Sequence, residues 1–138
     1  MQARIKVITD GKGLYPILSS PITELIKNNK VKTGIIHLFA QHTSCSLVIQ
    51  ENADPTARQD LEAFINRLIP DDQSWHRHTL EGPDDSSAHM KSSITNSSLS
   101  IPIIDGEIGL GVWQGLYLWE HRDLPQTRNL VVTIVGSI

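Results

Sequence analysis

A chain of 138 residues with a single cysteine, Cys45, cannot form an internal disulfide, so its fold rests on its core and suits a reducing compartment. Cys45 lies in the apolar run CSLVI with no base placed beside it, and reads as a small buried hydrophobe rather than a nucleophile. No run approaches the roughly 18 apolar residues of a membrane span, and MQARIKVITDGKG at the N-terminus has no apolar signal core. The expectation is a cytoplasmic protein without membrane contact. Lysine and arginine are scattered among an excess of acids, for a net charge of -3, so no basic stripe marks a nucleic-acid surface and no polynucleotide partner is expected. HExxH, paired CxxC, internal repeats, linkers and heptads are missing as well.

What is present is ordinary one-domain material. Residues 3–9 alternate, with Ile5 and Val7 against Arg4 and Lys6, and predict a half-buried strand ending at Asp10-Gly11. Ser20-Pro21 predicts a serine-capped helix of about two turns whose stripe is Ile22, Leu25 and Ile26, closed by Asn28 and Asn29. Residues 33–40 and 44–50 are β-rich, with His42 in the connection between them and His37 in an apolar setting that suits a core or interface histidine. Asp54-Pro55 starts a second helix, with Leu61, Phe64, Ile65 and Leu68 as its stripe and Pro70 as its stop.

A third, short helix is expected around residues 88–94, capped by Asp85 or Ser86. Asp105-Gly106 predicts a hairpin between 99–104 and a long run from 107 to 120, in which Trp113, Tyr117 and Trp119 share one face. Residues 128–135 predict a buried strand. The expected architecture is α+β: a β-rich, sandwich-like single domain of mostly antiparallel sheets with about three short to medium helices.

Between Trp75 and Ser93 the chain holds three of its six histidines, His76, His78 and His89, with Glu81, Asp84, Asp85 and Lys91 and hardly a core-forming residue. Charged groups resist burial unless paired, hydrogen-bonded or bound to metal, so this stretch is either a solvated loop or a site. His42, His89 and His121 each fall where an element is expected to end, and three imidazoles with one position open would suit a Zn-like ion. The adjacent acids Asp84 and Asp85 have two readings: caps of the following helix, or oxygen ligands for Mg²⁺ beside a phosphate that Lys91 would balance. Asp54 likewise is either a cap or a site residue.

Three segments, HTSCSLVIQENADP (42–55), RHTLEGPDDSSAHMKSSI (77–94) and IPIIDGEIGLGVWQGLYLWEHR (101–122), together resemble the YjbQ-like family, also called secondary thiamine-phosphate synthases. The resemblance is colinear over nearly the whole chain. It implies a homotrimer with sites near subunit boundaries, and a reaction joining a hydroxymethylpyrimidine pyrophosphate to a thiazole phosphate with release of pyrophosphate. With the positions read above, the expected catalytic groups are His78, His89, Lys91, Glu81, Asp85 and Glu120, the expected substrate contacts Ser44, Asn52, Asp54, Asp84 and Gln114, and the expected metal ligands His42, His89 and His121. Two departures stand out: Ser86-Ser87 where the family commonly reads Met-Pro, and Val112 where it reads Thr. Neither removes a candidate ligand. A non-catalytic metal- or phosphate-binding trimer, or a metal-dependent enzyme with another substrate, would use the same residues.

Overall fold

The computed structural model describes residues 1–17 and 19–138. Among the described residues eight strands and three helices follow one another as β1 (Gln2–Thr9), β2 (Gly13–Pro16), α1 (Ser20–Asn28), β3 (Thr33–Ala40), β4 (Cys45–Glu51), α2 (Pro55–Leu68), α3 (Asp85–Ile94), β5 (Ser98–Ile104), β6 (Glu107–Ile108), β7 (Gln114–Glu120) and β8 (Gln126–Ser137). Every pairing is antiparallel. One sheet has the order β1-β8-β3-β5-β6 and the other the order β2-β7-β4. The expected sandwich-like α+β arrangement is present.

The alternation that defines each strand also defines the core. Ile36 and Leu38 of β3, Ile101 and Ile103 of β5, and Leu130, Val132 and Ile134 of β8 point inward from the larger sheet. They meet Cys45 and Leu47 of β4 and Leu116 and Leu118 of β7, with Ile22 and Ile26 of α1 closing the layer. Cys45 is fully buried, and burial pushes its thiol up to about 12, which makes it inert packing.

Two expectations change for identifiable reasons. The run from 107 to 120 is not one strand: β6 pairs with β5 in the larger sheet and β7 lies in the smaller one, so residues 109–113 carry the chain across. Gly109 sits so close to Pro102 that an added Cβ would lie 2.8 Å from the Pro102 carbonyl oxygen. Trp113 consequently stands outside the strand and is exposed, while Tyr117 and Trp119 are buried. Tyr117 uses the face of β7 opposite Leu116 and Leu118, where Arg58 of α2 lies 5.4 Å above its ring.

The second change is the phase of α2. Of its predicted stripe only Ile65 is buried; Phe64 and Leu68 are 58% and 55% exposed. The contacts of α2 with the rest of the protein are largely polar, through Arg58 to the Glu51 carbonyl, Glu62 to the Leu14 amide and Asn66 to Lys91, so a narrower apolar stripe suffices than the sequence offers. Among smaller differences, α1 begins after Ser19, which makes no side-chain cap bond, whereas Asp54 caps α2 as expected by accepting from Thr56 N at 2.9 Å and Thr56 Oγ1 at 2.7 Å. His37 is half-buried on the outer face of β3, with Nδ1 3.1 Å from Ser100 Oγ, rather than in the core.

The corrected phase makes a direct test. Ile65→Ala should cost about 2–5 kcal/mol in urea unfolding, the usual loss for a buried aliphatic side chain, and Phe64→Ala should stay within about 1 kcal/mol of wild type.

Candidate metal centre

The polar stretch after α2 folds into a loop that returns to the start of α3, with the Asp72 amide donating to the Pro83 carbonyl at 3.0 Å. Gly82 turns the loop at φ +109, and an added Cβ there would lie 3.1 Å from Asp84 Oδ1. Asp84 and Asp85 therefore arrive together at the N-terminal end of α3, where the helix dipole favours negative charge. Asp84 occupies the cap position but makes no cap bond; its Oδ2 instead accepts from Arg122 Nε and the Asp123 amide, each at 2.9 Å.

Four side chains converge here. His78, Glu81, Asp85 and His89 each present one ligand atom, and all four atoms lie within 4.8 Å of one another, the group of potential metal ligands found among the described residues. His78 Nε2 is 2.6 Å from Asp85 Oδ2 and 3.2 Å from Glu81 Oε2, and His89 Nε2 is 3.0 Å from the same Asp85 oxygen. With bonds of about 2.1 Å, adjacent ligand atoms of an octahedral or tetrahedral ion sit roughly 3.0–3.4 Å apart, so two of these three spacings are already those of coordination edges.

The tautomer of His89 is informative. Its Nδ1 lies 2.8 Å from the Thr43 carbonyl oxygen, which can only accept, so Nδ1 carries a proton. In the neutral ring Nε2 then bears a lone pair, and that lone pair faces a carboxylate. The arrangement calls for a proton or a cation at Nε2, and a carbonyl-oriented imidazole is how metal-binding histidines are commonly held. Around the cluster, Asp85 is 2% exposed, and burial works against its charge, but its hydrogen-bonding neighbours Glu81 and His78 and the Arg122 charge outweigh that and hold its carboxyl below the usual range. The hydrogen bond to Asp85 chiefly, with Glu81, raises His78 above an ordinary histidine.

The other expected residues are placed elsewhere. His42 does not join His89: its Nε2 accepts from the Asn129 amide at 2.7 Å, and burial, then the Arg128 charge, lower its pKa below that of an ordinary histidine. Nor does His121, which is buried with Nε2 2.9 Å from Ser46 Oγ. The structure brings two histidines and two carboxylates together instead of the three histidines expected. Lys91 is 1% exposed and donates to Asn66 Oδ1 at 2.7 Å; it lies about 240° round α3 from Asp85, on a different side of the helix from the cluster.

Glu120 is not free for acid–base work. Its carboxylate accepts from Thr9 Oγ1, Arg128 and the amides of His121 and Arg122. Ser44 faces inward, its Oγ accepting from Arg128 Nη2 at 2.9 Å. The β4–β7 pair runs six residues, about 20 Å, from Cys45 and Glu120 to Glu51 and Gln114, and Asn52 and Asp54 follow at that far end. There Asn52 donates to the Val112 and Gln114 carbonyls, and Gln114 Oε1 accepts from the Gly111 amide, so both shape the crossing loop.

Arg122 was not anticipated. Its three donors reach Asp84 Oδ2, Asp85 Oδ1 at 2.7 Å and the Glu81 carbonyl at 2.9 Å, making it the residue that joins loop and helix. The signal for it was its place at the end of WEHR, directly after the strand that carries Glu120 and His121. Asp71, which accepts from both Lys12 and Ser87 of α3, carried no such signal, and nor did its two partners.

Comparison with known proteins follows the same outline. The family model described as UPF0047 protein YjbQ-like matches residues 3–137. A UPF0047 protein of Synechocystis is 44% identical over 99% of this chain and 92% of its own length, and YjbQ of Escherichia coli O157:H7 is 37% identical over 99% and 98%. A conserved hypothetical protein from Thermus thermophilus superposes with a TM-score of 0.80 at 35% identity, covering 96% of this chain and 99% of that one.

His121 provides a pH test. Burial first, then the Lys91 and Arg128 charges, lower its pKa to about 3, while the unfolded chain titrates near the ordinary histidine value of 6.5. The folded-state pKa is depressed, so the unfolded chain gains a proton on acidification that the folded chain refuses. Stability should therefore fall by about 2 kcal/mol between pH 7 and pH 5 through this residue alone, and the difference between wild type and His121→Gln in urea unfolding should isolate that amount.

Proposed function

The chain belongs to the YjbQ-like UPF0047 family, and we propose that it is a homotrimeric, metal-dependent enzyme that acts on a small phosphorylated substrate at His78, Glu81, Asp85 and His89. The observation that carries this reading is the His89 ring, fixed by the Thr43 carbonyl so that Nε2 and its lone pair face the Asp85 carboxylate. Two imidazoles with carboxylates favour a transition ion such as zinc or manganese over magnesium, which prefers an all-oxygen shell. When bound, such an ion would supply charge for the oxygens of a phosphate or pyrophosphate leaving group.

The chain's own residues do the rest. Glu81, whose side chain is 63% exposed, is the ligand best placed to give way to substrate. Asp85 is anchored and stays. Exposed Leu80, between His78 and Glu81, offers an apolar contact at the mouth.

The specific reaction we favour is the thiamine-phosphate synthase one implied by the resemblance. In it a ring nitrogen of the thiazole phosphate bonds to the pyrimidine methylene carbon, the carbon–oxygen bond to pyrophosphate breaks, and pyrophosphate leaves with the electron pair. Trimer formation has its own support in the outer face of the larger sheet, where Ile35 and its cross-strand partner Val135 are exposed, with exposed Phe39 on the same face further along β3.

Elemental analysis should find close to one zinc or manganese per 15.3 kDa chain, and light scattering a mass three times that of the chain. His89→Ala and Asp85→Asn should each lose the metal at least about tenfold more readily and abolish metal-dependent pyrophosphate release. Metal uptake without pyrophosphate release under magnesium, manganese or zinc would remove the synthase step and leave the metal reading standing. A metal-free wild type would remove both.

A further inference from the structure

The ligand cluster is held by an arginine, Arg122, through contacts to Asp84, Asp85 and the Glu81 carbonyl, and its manner of holding has a chemical consequence. A carboxylate binds an ion through one oxygen or through two, and the choice decides how many positions remain for substrate. Asp85 has Oδ2 directed at His78 and His89 and Oδ1 held at 2.7 Å by Arg122 Nη1. We infer that Arg122 is a positioning residue that keeps Asp85 a one-oxygen ligand and so keeps a coordination position open for substrate. The inference rests on the metal reading above.

The grip is built in three places. Nε is registered on Asp84 Oδ2, which the Asp123 amide also fixes, and Nη2 is registered on the Glu81 carbonyl, so Nη1 has one direction left, towards Asp85. The arginine side chain is 14% exposed and the Asp85 side chain 3%, which leaves little room for water to take over the contact. Asp84 and Asp85 hold the guanidinium pKa above its usual range although burial works against it. A lysine would bring the same charge but no rigid fork able to reach three acceptors at once.

The test uses cobalt(II) in the full-length protein, because its visible absorption weakens as coordination number rises. Wild type, Arg122→Lys and Asp84→Asn are compared for cobalt affinity, for spectrum and for apo-protein thermal unfolding. Arg122→Lys should bind cobalt about 10–100-fold more weakly and with a less intense spectrum, since Asp85 Oδ1 is released to coordinate. Asp84→Asn leaves the Arg122 contact to Asp85 available and removes one of its registers, so its spectrum should move the same way by less. It also serves if Arg122→Lys fails to fold. Cobalt bound by both variants within twofold of wild type and with unchanged spectra would overturn the role of Arg122 alone. No cobalt uptake by wild type would take down the metal reading and this inference with it.

Discussion

The Glu120 carboxylate, 1% exposed at the end of β7, is the constraint on which the architecture of the site depends. An ion in that position is costly unless every lone pair is used. Here Oε1 accepts from Thr9 Oγ1 at 2.6 Å and Arg128 Nε at 2.8 Å, and Oε2 accepts from Arg128 Nη2 at 2.5 Å and the next two amides. Those bonds join β1 and β8 of one sheet to β7 of the other. They also decide the path of the chain just past the strand: with the amides of His121 and Arg122 both turned onto Glu120, the Arg122 side chain leaves in the direction of α3. The tripeptide Glu120-His121-Arg122 thus converts a cross-sheet ion pair into the support of the ligand cluster.

How far this could be read from the sequence depended on distance along the chain. The strands were legible because alternation is local and because Asp105 and Gly106, with φ of +50 and +83, form the tight turn that their dipeptide predicts. What alternation cannot state is which layers cover a strand. Residues 114–120 read as alternating, yet from Leu116 to Glu120 β7 is buried on both faces, because it is the middle strand of a sheet with the larger sheet on one side and helices on the other. The same limit misplaced Phe64 and Leu68, whose spacing fits a buried stripe although only Ile65 finds a partner layer.

The site divides in the same way. His78, Glu81, Asp85 and His89 fall within twelve consecutive residues, at intervals that a loop entering a helix brings together, and all four were visible as candidates. His42 and His121 shared their residue type and their position at strand ends but not their neighbourhood. Each is committed to a hydrogen bond within the sandwich, His42 to Asn129 and His121 to Ser46, and a polar histidine that closes a β-layer looks in sequence like one that opens a site. Lys91 was misplaced by helix geometry: six residues after Asp85 it turns inward to Asn66.

Charge then decides what the cluster can accept. Glu81, Asp84 and Asp85 stand against a single guanidinium, so with neutral histidines the centre carries two negative charges in excess, and Lys91, the one cation expected to offset a phosphate, faces the other way. A phosphorylated substrate approaching this surface directly would be repelled, and repelled more strongly as Asp85 is buried and poorly screened. A divalent cation removes the excess. It would also reverse the sign of the interaction with phosphate: the carboxylates that exclude an anion from the bare chain are the groups that would hold the ion able to attract it.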